Sequence, residues 1–386
     1  MKIVYVGETG CSDSDFPLIK SLQEKGVEIY AYFMVNKGNA RKGLFNIDLF
    51  RKDSIIPLSA YSYFDRYKSY FDMKNIFVVN NYHYSRRYWQ YWLMWIKLQY
   101  HINKIEPDLI HLTWPLIREQ KVLYYLKVKK ILTVHDPIPH SGQFNKLNER
   151  NRIKAFRNVN GYVLLSSKYK EEFCANYSID VNRICVNKMG EFDHLTLLRR
   201  SSKSSVSPYI LYIGQIQPHK GVDLLLEAML KVHSVYPSVK LVVAGKGNFY
   251  FDMKKYEKLN YIEFRNYYIP VEDMVDLLCN SMFAVCPYKD ATQSGVVQTA
   301  FSIGTPLIVT NTGDMATVVQ NGVTGVVIEP NNVDSLVSAI NSLIGSPEIL
   351  EKYKKNISDI WKKKQDWSPI ADTYIEFYKK ILCVNY

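Results

Sequence analysis

Ser294 and Gly295 stand where a polar loop enters an apolar, helix-forming segment of the sequence. The loop covers residues 288–294 and follows an apolar run, 282–286, that predicts a buried strand. The first turn of a helix carries unpaired backbone N–H groups and the positive end of the helix dipole. Since Ser and Gly lack bulky side chains, a phosphate can approach these amides closely. The junction predicts an anion-binding site, while the same pattern also fits an ordinary βαβ crossover whose glycine only makes a turn.

Lys220 lies in a second polar loop, residues 214–221, which has a glycine at each end. The loop follows a strand-like apolar run, 209–213, and precedes a segment whose apolar residues recur at helical spacing. An ammonium group in such a loop can form a charge-assisted hydrogen bond to a phosphate oxygen. A loop lysine is ordinarily just solvated, but the flanking glycines favour an anion contact.

His135 and Asp136 follow the apolar run 130–134, which predicts another parallel strand. In open α/β sheets, functional residues lie beyond the carboxyl ends of the strands. A histidine there is either a satisfied turn residue or a substrate contact, and its position favours the second interpretation; His140 is a further candidate in the same loop. Gly10 lies in a turn after the first strand-like run, and the dinucleotide fingerprint G-x-G-x-x-G is absent there.

Length and composition limit the class of protein. A chain of 386 residues suggests two domains of roughly 150–200 residues each. No apolar stretch reaches the roughly 18–20 residues of a membrane-spanning helix. The six cysteines show no C-x-x-C spacing, so we expect buried free thiols and neither a disulfide framework nor a zinc site.

The formal net charge of +12 indicates a negatively charged partner. Nucleic acid, anionic lipid and a phosphorylated substrate are the candidate classes. No nucleic-acid-binding motif accompanies the basic residues, so nucleic acid is not expected. The charge therefore favours a phosphorylated ligand or an anionic membrane surface.

Strand-like runs and helical patterns alternate in both halves of the chain, which predicts an α/β protein. Residues 199–208 are rich in Ser and Lys and have no apolar period, so they are expected to form a linker. The predicted domains are residues 1–200 and 208–368. Both begin with a strand, a glycine-containing turn and a helix, as Rossmann-like domains do.

Residues 281–330 resemble the nucleotide-sugar site of retaining family 4 glycosyltransferases, which have the GT-B fold. The family spacing is kept at Gly304-Thr305-Pro306, Thr312-Gly313, Gly322 and Gly325. The resemblance implies two Rossmann-like domains facing across a cleft, with a final helix, residues 369–386, that crosses back to the first domain. It is strong over residues 209–344 and diffuse in the amino-terminal half.

Four positions depart from the family pattern, one of them Met189, which stands where family members often have His. Loop 214–221 resembles the family's G-R-x-x-x-x-K-G, but Gln215 replaces the arginine while Lys220 keeps the lysine. Ala291 and Thr299 stand where the family usually has two glutamates. These departures leave the fold expectation unchanged and alter the expected donor contacts.

The resemblance also implies a set of site residues. His135 and Lys220 are the expected catalytic residues, with His135 at the transferring sugar. The expected donor-binding residues are Gly10, Gln215, Lys220, Tyr267, Tyr268, Ala291, Gln293, Ser294, Gly295 and Thr299. No metal site is expected, since Asp13-Ser14-Asp15 has the letters of a D-x-D motif but is better explained as a helix cap. No cofactor is expected, because the nucleoside-diphosphate sugar is a substrate.

The implied activity is transfer of a sugar, with retention, from a UDP-, GDP- or dTDP-sugar to a glycan or lipid-linked glycan. The expected setting is bacterial surface glycan synthesis in the cytoplasm, at the inner face of the membrane. Two alternatives remain open: a GT-B nucleotide-sugar epimerase, and a non-catalytic carbohydrate-binding partner subunit. A two-domain dehydrogenase is disfavoured because no glycine fingerprint is followed by an acidic ribose ligand.

Residues 82–100 are unusually rich in Trp, Tyr and Arg. Trp89, Trp92, Leu93, Ile96 and Tyr100 recur at helical spacing. This face predicts either a helix packed on the core of an α/β domain or an interfacial helix, in which Trp89, Trp92 and Trp95 would contact a membrane.

Overall fold

The computed structural model describes residues 1–138, 145–200, 208–291 and 294–383. The chain divides into two compact units. Unit 1 comprises Met1–Gly190 with Trp367–Tyr386, and unit 2 comprises Glu191–Asp366. The domain boundary predicted at residue 200 lies inside unit 2, and residues 201–207 of the predicted linker lie outside the described part of the chain.

Unit 1 contains an eight-stranded sheet. Its strands are β1 (Lys2–Glu8), β2 (Glu28–Asn36), β3 (Ser54–Pro57), β4 (Ile76–Asn81), β5 (Leu109–Leu112), β6 (Lys129–Val134), β7 (Gly161–Leu164) and β8 (Ile184–Val186). Their order across the sheet is β3-β4-β2-β1-β5-β6-β7-β8, and only β3 is antiparallel to its neighbour. The central strands are buried along most of their length, which explains why they read as near-continuous apolar runs.

Unit 2 contains a six-stranded sheet whose strands are all parallel. Its strands are β9 (Tyr209–Ile213), β10 (Lys240–Ala244), β11 (Ile262–Arg265), β12 (Ala284–Cys286), β13 (Leu307–Thr310) and β14 (Gly325–Ile328). Their order is β11-β10-β9-β12-β13-β14. Both units are therefore Rossmann-like α/β structures, and the predicted fold class is confirmed.

The helices connect the strands and cover the sheets. They are α1 (Ser12–Glu24), α2 (Trp89–Ile105), α3 (Lys146–Arg157), α4 (Lys170–Tyr177), α5 (Val222–Val235), α6 (Val271–Asn280), α7 (Gly295–Ile303), α8 (Met315–Val318), α9 (Val333–Gly345), α10 (Pro347–Asn356) and α11 (Trp367–Cys383). A π-helical segment, Ile357–Lys362, follows α10.

The C-terminal helix α11 is part of unit 1 and is joined to its sheet by a buried polar network. His111 on β5 is fully buried, with Nδ1 2.8 Å from the Tyr378 hydroxyl and Nε2 2.8 Å from Thr133 Oγ1. Burial lowers the pKa of His111 to about 3, so the imidazole is neutral at pH 7. A Cβ added at Gly161 on β7 would lie 2.8 Å from Ile381, so this strand needs its glycine to let α11 pack closely.

The prediction that Asp13-Ser14-Asp15 caps a helix is wrong, because the helix starts before these residues. Helix α1 already begins at Ser12, so these residues lie within its first turn. Asp15 is buried and accepts a 2.8 Å hydrogen bond from the Tyr5 hydroxyl. Burial raises the pKa of the Asp15 carboxyl well above its usual range. The structure thus uses Asp15 in the packing of α1 on the sheet.

Helix α2 has two apolar faces. The face against the sheet is formed by Tyr91, Met94, Trp95, Leu98, Ile102 and Ile105, all of which are buried. Of the face predicted from helical spacing, Leu93 is half-buried, whereas Trp89, Trp92, Ile96 and Tyr100 are exposed to solvent. The core-packing interpretation is therefore wrong for that face, and Trp95 belongs to the core. Across the described residues, no helix combines the length and hydropathy needed to cross a membrane.

Candidate active site

The sheet of unit 2 has a topological switch point between β9 and β12. The chain proceeds from β9 to β10 and β11 on one side, and then returns to β12 on the other. In open α/β sheets the connections leave in opposite directions at such a point and open a crevice that binds ligands. The loop 214–221 follows β9, and residues 287–291 follow β12. The described parts of the two predicted anion loops therefore lie at this switch point.

Glycines make the close packing of these loops possible. Gly221 has a φ of +67°, and a Cβ added there would lie 2.0 Å from the Pro287 carbonyl oxygen. Gly245, after β10, has a φ of +143°, and its added Cβ would lie 1.8 Å from the Gly214 carbonyl oxygen. A side chain at either position would have to displace backbone. These two glycines therefore serve the fold of the crevice itself.

Lys220 lies above the floor of the crevice. It ends a 3₁₀ turn, Pro218–Lys220, and its Nζ is 3.8 Å from the centre of the Tyr288 ring, a cation–π geometry. Tyr288 is buried, and burial raises its pKa well above the usual range, so the ring is neutral. The neighbouring lysine, Lys289, is ion-paired with Asp223 at 2.6 Å. Lys220 therefore stacks on the buried Tyr288 ring, whereas Lys289 is directed to Asp223.

Ser294 and Gly295 form the start of α7 as predicted from the sequence. Ser294 is the N-cap in an extended conformation, and its side chain makes no capping hydrogen bond. A Cβ added at Gly295 would meet no described atom within 4 Å, and this glycine does not have a positive φ. The described structure gives no steric reason for glycine here, whereas an approaching ligand would give one. The Val297 amide donates to the Ser294 carbonyl oxygen at 3.1 Å. The amides that begin a helix, here those of Ser294 and Gly295, come before any carbonyl of an earlier turn.

The remaining predicted donor residues of unit 2 differ in exposure. Gln215 is exposed, as are Tyr267 and Tyr268, which follow β11 at 51% and 45% exposure. Ala291 and Thr299, at the positions of the family's glutamates, are buried. Thr299 Oγ1 donates to the Gly295 carbonyl oxygen at 2.8 Å, so its hydroxyl serves the helix backbone. Gln293 lies outside the described residues.

The sheet of unit 1 has its own switch point, between β1 and β5. Gly10 lies in the 3₁₀ turn Thr9–Cys11 that follows β1 and is exposed. Trp114 follows β5 and is 41% exposed. His135 follows β6, the next strand in the sheet, and its ring centre is 5.9 Å from that of Trp114. Gly10, Trp114 and His135 therefore share the carboxyl edge of this sheet, while His140 lies outside the described residues.

His135 borders a cavity of about 270 Å³. The described residues that line it include Trp114, Asp136, Asn148 and Arg152. Burial lowers the pKa of His135, although Asp136 beside it acts in the opposite direction. The imidazole is therefore neutral at pH 7 and can act as a hydrogen-bonding group.

Two polar sites at the carboxyl edge of the unit 1 sheet were not predicted from the sequence. Glu8 is the last residue of β1. Burial raises the pKa of its carboxyl to about 7, although hydrogen bonds from Gln120 and Asn39 act in the opposite direction. His83 follows β4; its Nδ1 lies 2.7 Å from Asp53 Oδ2, and its backbone N–H donates to Asp53 Oδ1 at 3.0 Å. The strand-end rule applied to His135 would also have indicated Glu8 and His83. Only the tertiary structure shows that Asp53, distant in sequence, orients the ring.

Comparisons with known proteins agree with this geometry. Residues 196–359 match the family model described as glycosyl transferases group 1. A Bacillus subtilis protein, YtcC, provisionally named a glycosyltransferase, is 31% identical over 159 residues, which cover 38% of this chain and 39% of its own length. The chain thus matches well under two thirds of this relative.

Solved structures match along the whole chain. Sucrose-phosphate synthase from Thermosynechococcus elongatus matches with a TM-score of 0.68 and 14% identity, covering 100% of both chains. Anabaena HepE in complex with UDP-glucose matches with a TM-score of 0.67 and 14% identity, covering 98% of this chain and 99% of the other. At this level of identity the likeness establishes the fold. The chain has the two Rossmann-like units of the GT-B fold, and its residues 196–359 are similar to the glycosyl transferases group 1 family.

Proposed function

We propose that this protein is a nucleotide-sugar-dependent glycosyltransferase of the hexosyltransferase type, belonging to retaining family 4. One observation carries the proposal: Lys220 and the N-terminal turn of α7 lie on loops that follow adjacent strands, β9 and β12, at the switch point of unit 2. A cation and a helix N-terminus on two sides of one crevice suit the diphosphate of a UDP-, GDP- or dTDP-sugar.

The reaction needs stabilisation of a leaving nucleoside diphosphate while the anomeric carbon becomes oxocarbenium-like. The Lys220 ammonium and the amides of Ser294 and Gly295 supply fixed donors for the charge that develops on the phosphates. With retention, the acceptor hydroxyl attacks from the face of the leaving group and a phosphate oxygen takes its proton. No protein nucleophile is then required, and neutral His135 hydrogen-bonds the transferring sugar.

For the acceptor we propose a glycan or a lipid-linked glycan of bacterial surface polysaccharide synthesis. The cavity beside His135 combines the Trp114 ring with amide and guanidinium groups, which suits the apolar faces and hydroxyls of a sugar. A cytoplasmic setting, at the inner face of the membrane, fits the six cysteines, all of which are free thiols.

A non-catalytic carbohydrate-binding subunit is the second candidate. The observation that favours it is the burial of Ala291 and Thr299 where the family has glutamates. Such a protein would bind the nucleotide sugar without turning it over. A nucleotide-sugar epimerase would differ again, because it would convert the donor sugar in the absence of any acceptor.

A thermal-shift panel of UDP, GDP and dTDP, each with and without magnesium, tests the proposal. Ligand binding to the native state raises its stability by about 2.7 kcal/mol at a hundredfold excess over Kd, a shift of a few degrees for units of this size. We expect one nucleoside diphosphate to stand out without magnesium, because the site supplies its own donors. Lys220→Ala is the control and should keep about half of the shift or less at the same nucleotide concentration.

Two outcomes would contradict the proposal. A shift seen only with magnesium would contradict the metal-free mechanism. In that case a metal cation would supply the positive charge that is lost where Gln215 replaces the family's arginine. If none of the three nucleotides shifts the wild-type protein, the glycosyltransferase proposal itself fails.

Gly295→Ala is expected to lower nucleoside diphosphate affinity while leaving the free energy of unfolding unchanged or slightly raised. The added methyl group meets no described atom, and Ala favours a helix by up to about 1 kcal/mol over Gly. It would, however, stand in the path of a phosphate approaching the amides. Calorimetry for affinity and urea unfolding for stability separate the two effects.

Gly221→Ala is the matched control for that experiment. Its backbone is in the left-handed region and its Cβ would collide with the Pro287 carbonyl oxygen. We therefore expect a loss of stability of at least about 1–3 kcal/mol. A Gly295→Ala protein that binds the diphosphate as tightly as wild type would remove the α7 amides from the site.

A further inference from the structure

The outer face of α2 is an exposed aromatic surface. Trp89, Ile96 and Tyr100 are 70%, 61% and 70% exposed, and Trp92 is 44% exposed. At 100° per residue these four side chains fall within one narrow arc of the helix, opposite the buried face that packs on the sheet. Isolated exposed apolar residues are normal, but a contiguous stripe of large ones marks an interaction surface. We call these four residues the outer face.

The geometry holds this stripe in place. Trp92 Nε1 donates to the Arg86 carbonyl oxygen at 3.0 Å, which orients the indole. The Tyr88 ring, just ahead of α2, stacks on His83 with ring centres 4.0 Å apart. Arg86 forms an ion pair with Glu119, which is buried on the neighbouring segment. The aromatic side chains are thus presented by a helix that is packed on one side and anchored at its start.

The charge beside the outer face is predominantly positive. Arg86 and Arg87 precede α2, and Lys97 and Lys104 lie along one border of the stripe. Residues 82–105 contain no Asp or Glu at all. A second copy of the chain docked through this face would bring like charges together, so self-association is disfavoured. A surface that is both apolar and anionic is the complementary partner.

We propose that the outer face of α2 binds an anionic lipid bilayer, with the helix lying in the plane of the interface. Trp and Tyr side chains favour the headgroup region of a membrane, and Ile96 would reach toward the acyl chains. Arg87, Lys97 and Lys104 would face anionic headgroups, which attract basic residues within about one Debye length, whereas Arg86 is paired with Glu119. The surface would hold unit 1 at the membrane whether or not the protein proves to be a glycosyltransferase.

Vesicle flotation of the full chain tests the proposal. We expect flotation with vesicles of phosphatidylcholine and phosphatidylglycerol at low salt, little flotation with phosphatidylcholine alone, and a clear loss at about 1 M salt, where the Debye length falls to about 3 Å. The Trp89→Ala/Trp92→Ala protein should lose at least about tenfold in partitioning, and Trp89→Phe/Trp92→Phe should keep most of it. Tyr125→Ala, which removes an aromatic residue of 73% exposure elsewhere in unit 1, should bind as wild type.

Two variants that each remove two positive charges test the electrostatic part of the membrane-binding proposal. Arg87→Gln/Lys97→Gln should reduce partitioning into anionic vesicles by about 30-fold, roughly fivefold for each cation. Lys352→Gln/Lys355→Gln alters two exposed lysines of α10 and has the same net charge, so it should have little effect. Circular dichroism and thermal unfolding confirm that each variant is folded.

Three results would overturn the inference. The first is that the wild-type chain fails to float with anionic vesicles. The second is that Trp89→Ala/Trp92→Ala floats as well as wild type. The third is that the lipid-free protein is a dimer that Trp89→Ala/Trp92→Ala dissociates. Nucleotide-induced thermal shifts are read separately, so failure of membrane binding and failure of the proposed activity can be told apart.

Discussion

Replacing Lys220 with Ala is expected to weaken nucleoside diphosphate binding by about 1.5–3 kcal/mol, roughly 10- to 150-fold, and to remove most of the turnover. The reason is that Lys220 is held over the buried, neutral Tyr288 ring at the switch point of unit 2, where a charge-assisted bond to phosphate is poorly screened. Isothermal calorimetry with the nucleotide identified by thermal shift measures the affinity.

Lys289→Ala is the matched control, because this neighbouring lysine is directed to Asp223 and does not stack on Tyr288. We expect it to change affinity by less than about 1 kcal/mol, as is usual for partly exposed ion pairs. Lys220→Met keeps the packing over Tyr288 and removes only the charge, so it should behave as Lys220→Ala does. Equal affinity in wild type and Lys220→Ala would place the diphosphate clamp on other residues.

Replacing His135 with Ala is expected to lower kcat by about a hundredfold while leaving nucleoside diphosphate affinity nearly unchanged. In the proposed mechanism His135 contacts the sugar, and removing one transition-state hydrogen bond costs about this much. His135 belongs to unit 1, whereas the diphosphate loops belong to unit 2. Steady-state kinetics and calorimetry on the same protein preparation separate the two effects.

The pH dependence gives an independent readout for His135. Burial lowers its pKa, so the functional neutral form persists from neutral pH down to below the usual range of histidine, and its contribution is lost only as the pH falls through the lowered pKa. His101→Gln, at a partly buried histidine beside Tyr32, should keep the wild-type profile. A parallel fall in kcat and diphosphate affinity for His135→Ala would place this residue at the phosphate end of the donor.

The local organisation of this protein could be predicted from its sequence. Apolar runs that end in Gly-containing polar loops predict parallel strands, and the structure has strands β9 and β12 directly before the loops of Lys220 and Ser294. These signals are short-range, because a buried strand, a glycine turn and a helix start each depend on residues a few positions apart. The two-unit α/β fold follows from their alternation.

The contacts that are distant in sequence were decided by the tertiary structure. Asp53 orients His83 because β3 pairs with β4, and no pattern in the intervening residues indicates that pairing. The need for glycine at Gly245 arises from its φ of +143° and from the loop after β9, whose Gly214 carbonyl oxygen lies 1.8 Å from where the Cβ would be. Asp15 was expected to cap a helix, but α1 starts earlier and buries it against Tyr5.

Helix α2 shows most clearly what cannot be predicted from the sequence. Both of its faces are apolar, so helical periodicity identifies two candidate core faces and cannot choose between them. The choice depends on which face fits the sheet, and the sheet selected the face that includes Tyr91, Trp95 and Leu98. Trp89 and Tyr100 were left in solvent by that packing. The sequence alone determined that this segment is an aromatic helix, and only tertiary packing decided which aromatic residues are available to a partner.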